Sequence, residues 1–354
     1  MKLRRTLLGT AFATCLVAGS ALAQETITVN IGSSHPEQNI WAWAMKNVFQ
    51  PEVDRILEDA GGNYQINWLE HYGGTLYRFT DTREAVRDGI VDVGMVGTVW
   101  EVSDMPLQNV TYYTPFATSD HEMLIEIFDK LTEELPELRD SWAEQNMIHL
   151  SSLITDSYDV YGNFEMNALA DLRNRRINAP GTSANWLQGT RATPLEGGLT
   201  TYYTDIQTGV SEGALSFASG IYPARIHEVA PHLTRVDIGA MYFGGVAANL
   251  NFFDRLPEEV QQAFREAGRE TSRRHGTHVT EMAETALQNM QEEGLEIREL
   301  PEEEKQAWVD NMPNIVDAWL DLGGEPAAVV LRAYFDELRE RGVTPLREWD
   351  EAVR

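Results

Sequence analysis

Residues 82–97 read TREAVRDGIVDVGMVG, and the pattern changes period halfway through. The first eight residues mix Ala85 and Val86 with charged neighbours and end at Gly89, as a short helix and its stop signal do. The next eight, IVDVGMVG (90–97), form a glycine-flanked apolar run of the kind buried on both faces of a sheet. Working back toward the N-terminus, TITVNIGS (26–33) alternates like a strand and SSHPEQN (33–39) makes a turn. From Trp41 onward, Met45, Val48, Phe49, Val53, Ile56 and Leu57 keep helical spacing. Pro51 kinks that helix or restarts it, and Gly61-Gly62 stop it. YQINWLE (64–70) is a further strand. The order β-α-β-α-β predicts a parallel sheet with covering helices. Ligands bind such sheets beyond the carboxyl ends of the strands. Those ends are Ser33–His35, His71–Arg78 and Thr98–Glu101.

Beyond this unit, 120–145 reads as helix, and MIHLSSLI (147–154) as an apolar strand leaving the first lobe. DVYGN, RRINAP, SANWLQG, TYYTDIQTG and GALSFAS then open a second lobe of short elements broken by Gly and Pro. LTRVDIG (233–239) and GGVAANL (244–250) read as strands returning to the first lobe. One long helix is expected over 257–294, and further helix over 301–340. No flexible linker appears, so several short crossings join the lobes and hinge motion is favoured.

The chain has 354 residues. Lys2, Arg4 and Arg5 precede an apolar run that ends in Ala21-Leu22-Ala23, the pattern of a cleaved export signal. Cleavage after Ala23 would leave 331 residues, enough for two cores. It would also remove Cys15, the only cysteine, and with it any disulfide or thiolate chemistry. Three positive charges would be lost, taking the formal net charge from −27 to −30. Such a surface repels nucleic acid and anionic membrane. There is no P-loop, no G-x-G-x-x-G and no G-x-S-x-G elbow. No catalytic residue, metal ligand or cofactor is assigned. His275-x-x-His278 with Glu281 shares one helical face, but its polar, basic surroundings favour a solvated face over a metal site.

GTLYRF (74–79) and VGTVWE (96–101) bring Tyr77, Arg78, Trp100 and Glu101 to neighbouring strand ends. An aromatic with charges at a cleft mouth suits recognition of a small polar molecule. His35, in the loop after the first strand, could donate to a ligand or cap the helix.

Five segments in order resemble the solute-binding proteins of tripartite ATP-independent periplasmic (TRAP) transporters. YYTDIQTGVSEGA (202–214) is the most specific of them. REAVRDGIVDVGMV (83–96), ADLRNRRINAPGTS (170–183), IYPARIHEVAPHLT (221–234) and LNFFDRLPEEVQQAFREAG (250–268) complete the set. The resemblance implies an α/β, two-lobed periplasmic binding protein (Venus flytrap) fold with a long helix in the C-terminal half. Lobe I would comprise 24–148 and about 235–275; lobe II would comprise 149–234 and part of the C-terminal helices. It also implies a periplasmic monomer that captures a small organic acid and hands it to integral membrane permease subunits.

The site departs from the family pattern. The carboxylate-binding arginine falls on Asn178, a second arginine falls near Asp159, and an asparagine falls on Ser216. An aromatic falls on Leu199 and a polar contact falls near Phe243. An amide cannot supply the bidentate, charge-assisted bond of a guanidinium. Either Arg78, Arg176 or Arg191 enters from another direction, or the solute is less ionic: an aromatic or hydroxylated acid, a polyol or a zwitterion. Trp100, Tyr158, Phe217, Tyr242 and Phe243 would give an aromatic-lined cleft, which favours an organic monocarboxylate with an apolar or aromatic body. The expected contacts are His35, Arg78, Trp100 and Glu101 from the first lobe and Tyr158, Asn178, Ser216 and Phe217 from the second, with Phe243 near the crossing. Alternatives are an exported hydrolase or lyase acting on acidic sugars, and a periplasmic sensor subunit.

Overall fold

The computed structural model describes residues 24–354, so the expected export signal lies outside the described residues. Two sheets organise the chain. The first contains β1 (Glu25–Gly32), β2 (Tyr64–His71), β3 (Val93–Gly97) and β4 (Met147–Ile154). β5 (Asp159–Gly162), β6 (Arg176–Asn178), β7 (Thr193–Leu195), β8 (Gly213–Ser216) and β9 (His232–Arg235) belong to the second. β10 (Tyr242–Asn249) returns to the first sheet and β11 (Glu296–Glu299) to the second. The strand orders are β2-β1-β3-β10-β4 and β11-β9-β5-β8-β6-β7.

β1 lies parallel to β2 and β3, as the β-α-β-α-β reading requires, with Ile31 opposite Val93. β10 then runs antiparallel to both β3 and β4, with Val246 opposite Met95. Residues 233–239 do not return to the first sheet. His232–Arg235 pairs with β5 and β11 instead, and only β10 makes the return. β4 stays in the first sheet along its full length as an edge strand.

The helix from Ile40 to Asp59 is interrupted by one wide turn at Met45–Phe49, and Pro51 occupies the first turn of the resumed helix. Proline has no N–H to donate, so it interrupts the regular ladder at that point. The long helix runs Glu258–Glu292, about 52 Å at 1.5 Å per residue. It packs on β4, on the helix preceding β2 and on the short helix Ala218–Ile221 after β8. It therefore touches elements of both sheets. His275 explains part of this grip. It is buried, and its Nε2 lies 3.1 Å from the backbone N–H and carbonyl of Ile154. Ser272 Oγ accepts from Ser152 N at 2.9 Å. Two side chains of the helix thus take up edge groups of β4 that have no further strand to pair with. His275 is therefore a structural residue and not part of a solvated face, while His278 stacks on Trp43 at 3.5 Å.

Two of the three crossings between the sheets, 155–158 and 236–241, run side by side, and the long helix makes the third, from β10 to β11. Thr155 N donates to Met241 O, Tyr158 N to Gly239 O and Ile238 N to Tyr158 O, each at 3.0 Å. Among the described residues, no helix is long and apolar enough to cross a membrane.

Candidate functional site

The carboxyl end of β1 turns through Ser33 and Ser34 to His35. His35 is buried, with Nδ1 3.0 Å from Ser34 Oγ and its backbone N–H donating to Ser33 Oγ. Burial pulls the imidazole down to about 4, so it is neutral at pH 7. Its Nε2 has no partner. The helix that follows presents Trp41, whose Nε1 donates to Ile154 O at 3.0 Å. The Trp41 ring stacks on Phe243 of β10 at 3.5 Å. β3 ends in one tight turn, Thr98–Trp100, which brings Trp100 edge-on to Phe243 at 5.5 Å. Gly97 makes this possible. A Cβ there would lie 2.5 Å from the Trp100 ring and 2.7 Å from Phe243.

The second sheet supplies the opposing wall. Tyr158 ends one crossing, and Phe217 follows β8 at 5.1 Å from the Tyr158 ring. Ser216, Leu199 and Tyr202 join them, with Pro180 and Gly198 closing the rim. His35, Trp41, Trp100 and Phe243 line the same space from the first half. The space enclosed among these side chains is narrow, with room for about one water molecule. The two halves also touch around this space. Trp186 Nε1 donates to Tyr112 O at 2.7 Å, and Thr182 Oγ1 to Asn109 Oδ1 at 3.2 Å.

Of the nine residues expected at the site, His35, Trp100, Tyr158, Ser216, Phe217 and Phe243 line this cavity. Arg78, Glu101 and Asn178 do not. The Arg78 side chain is 81% exposed and pairs with Asp81 at 3.3 Å, held outward by the turn that starts at Phe79. Glu101 is buried but engaged by Arg83 at 2.7 Å. Asn178 is 0% exposed within β6, where its Nδ2 donates to Ser211 Oγ at 2.9 Å and its Oδ1 has no partner. Tyr242 points away and stacks on Phe128 at 4.0 Å. Neither Arg176 nor Arg191 lines the cavity; Arg176 is half exposed beside Glu212 at 3.9 Å. Asp159 does not face a solute either. Its carboxylate accepts from Val236 N and Asp237 N at 2.7 and 2.9 Å and meets Arg235 at 3.0 Å. Burial pushes it up to about 7 against the pull of Arg235.

Trp41 and Tyr202 were missed as contacts. Both carried a signal: Trp41 opens a helix at a strand's carboxyl end, and Tyr202 lies in the most distinctive segment. The cavity lining contains no charged side chain. It contains aromatic faces and neutral polar atoms, of which His35 Nε2, Trp100 Nε1 and Tyr202 OH are buried without partners. Among the described residues one group has metal-like spacing, Glu165, His232 and Glu296; none of them lines the cavity, and Arg298 bridges both carboxylates.

Comparison with known proteins agrees with this architecture. Residues 31–321 match the family model described as bacterial extracellular solute-binding protein, family 7. The ectoine-binding periplasmic protein TeaA of Halomonas elongata is 22% identical over 317 residues, 84% of this chain and 90% of that one. A TRAP solute-binding protein from a marine metagenome, specific for pyroglutamate, superposes with a TM-score of 0.78 at 17% identity, covering 88% of this chain and 99% of that one. DctP7 of Bordetella pertussis, a receptor binding pyroglutamic acid, gives a TM-score of 0.78 at 20% identity over 87% and 99% of the two chains. With the family model spanning both sheets and the cavity between them, this chain belongs to family 7 of the bacterial extracellular solute-binding proteins.

Proposed function

We propose that the protein acts outside the cytoplasm, closing over a small organic acid and presenting it to the membrane permease subunits of a TRAP transporter. The observation that carries this reading is a cavity whose walls come from two separate sheets joined by paired crossings. A solute touching both walls favours the closed arrangement over the open one by the difference in its contacts. Each sheet with its helices is one closing lobe, and the mature chain is a periplasmic monomer starting at Gln24. The relatives' names support a small acid, since pyroglutamate is bound by one solved neighbour and pyroglutamic acid by another. A hydrolase or lyase draws no support from this cavity. Its lining offers no carboxylate, and its one imidazole is held neutral. The test is mass spectrometry of the small molecule that co-purifies with the protein, followed by small-angle scattering with and without it. Recovery of an intact acid and a smaller radius when it is bound are expected; an unchanged radius or a chemically altered solute would overturn the proposal.

A further inference from the structure

We infer that the solute is a compact zwitterion that brings its own cation, either alkylated or charge-delocalised, and is net neutral in the closed site. This rests on the solute-capture reading above and narrows it. Three observations carry it. First, among the described residues no arginine or lysine lines the cavity, and the one titratable base there, His35, is buried and neutral. Arg83 is committed to Glu101, Arg235 to Asp159 and Asp237, and Arg78 to Asp81 in solvent. A solute with unbalanced negative charge would be stripped of water with no countercharge to meet.

Second, six aromatic rings line the space: Trp41, Trp100, Tyr158, Tyr202, Phe217 and Phe243. Ring faces attract cations, most strongly when water is excluded, and they favour diffuse cations that shed water cheaply. Tyr158 and Phe217 stand at 62° to each other at 5.1 Å, and Trp41 and Phe217 at 54° at 5.8 Å. These inclined surfaces suit a rounded methylated ammonium or a flat amidinium edge better than an extended chain.

Third, the polar atoms without partners suit a carboxylate held by neutral donors. Trp100 Nε1 can only donate, Tyr202 OH can donate, and His35 Nε2 can donate in one tautomer. A carboxylate engaging these groups, with its own cation against the rings, would leave no buried charge unbalanced.

The test is calorimetric titration of the mature protein with four probes: glycine betaine and proline betaine as zwitterions, succinate and L-pyroglutamate as net anions. At least one betaine is expected to bind ten-fold or more tightly than either anion, with affinity nearly independent of salt between 0.05 and 0.5 M. Phe217→Leu keeps apolar bulk but removes a ring face. It is expected to weaken the betaine ten-fold or more, with recovery in Phe217→Tyr. If Phe217→Leu misfolds, the salt series on the unaltered protein decides, because a net anion approaching a mature chain of formal charge −30 binds more tightly as salt screens repulsion. Tighter binding of succinate or pyroglutamate overturns this inference and leaves solute capture standing. Failure of both betaines, with a net-anionic or uncharged molecule recovered by mass spectrometry, also overturns it. Conversion of any probe to product overturns the capture reading itself.

Discussion

At the residue scale, the cavity depends on what its neighbours lack. Gly97 has no Cβ, and that absence lets Trp100 and Phe243 meet over it. Gly97→Ala forces one or both rings into the cavity. We expect it to cost about 1–3 kcal/mol in stability and to weaken solute binding ten-fold or more; chemical denaturation and calorimetry on the same sample check the two effects. Asn178 illustrates how the site diverged from the family pattern. Sealed in β6 with only Ser211 as a partner, it is a packing residue in this geometry. Asn178→Asp would bury a carboxylate where the amide now has only the Ser211 hydroxyl as a side-chain partner. Unfolding titration at pH 7 is expected to show a loss of about 3 kcal/mol or more.

At the element scale, the junction of the long helix with β4 carries much of the architecture. A Cβ on Gly268 would stand 2.0 Å from the carbonyl oxygen of Leu150, which is backbone and cannot swing aside. Gly268→Ala should lower stability by about 1–3 kcal/mol, seen as a reduced denaturation midpoint. His275→Ala should cost about 1–3 kcal/mol by leaving edge groups of β4 unpaired. Both substitutions lie away from the cavity lining, so the solute's affinity for the folded protein should change little. The first lobe's β-α-β-α-β order was legible because parallel strands buried on two faces read as apolar runs between helices. The assignment of 233–239 failed because an apolar run shows burial and not which sheet buries it. β11 went unread altogether: its sequence EIRE is half exposed and pairs only at one edge, so it carries no apolar pattern.

At the scale of the whole molecule, the outline of the cleft was legible and its electrostatics were not. Six expected residues converge because strand ends and the family's segment order locate the walls. Arg78, Glu101 and Asn178 fall outside because sequence position cannot say which way a side chain leaves a turn or which ion pair claims it. Buried ionisable groups also set the response of stability to pH. Burial holds His35 and His149 down to about 4 and His275 to about 3, against an ordinary value of 6.5. The unfolded chain therefore binds more protons between about pH 4 and 6.5, and the folded state loses stability as pH falls through that window. Asp129 and Asp159 are pushed up by burial to about 6 and about 7, and act in the opposite sense over the same range. Burial raises Asp156 as well, so the carboxylic acids offset much of the fall in melting temperature that the imidazoles impose on acidification. Asp129→Asn removes one opposing group and should steepen that fall. An Asp129→Asn variant whose melting temperature follows pH as the unaltered protein's does would contradict that opposition.

The two indoles that wall the cavity give it an optical property. Trp41 lies flat on Phe243, and Trp100 meets the same ring edge-on with its N–H unsatisfied. Any guest that reaches these walls must alter the polarity around an excitable chromophore. Occupancy should therefore be readable as a shift in intrinsic emission, without a label and in real time.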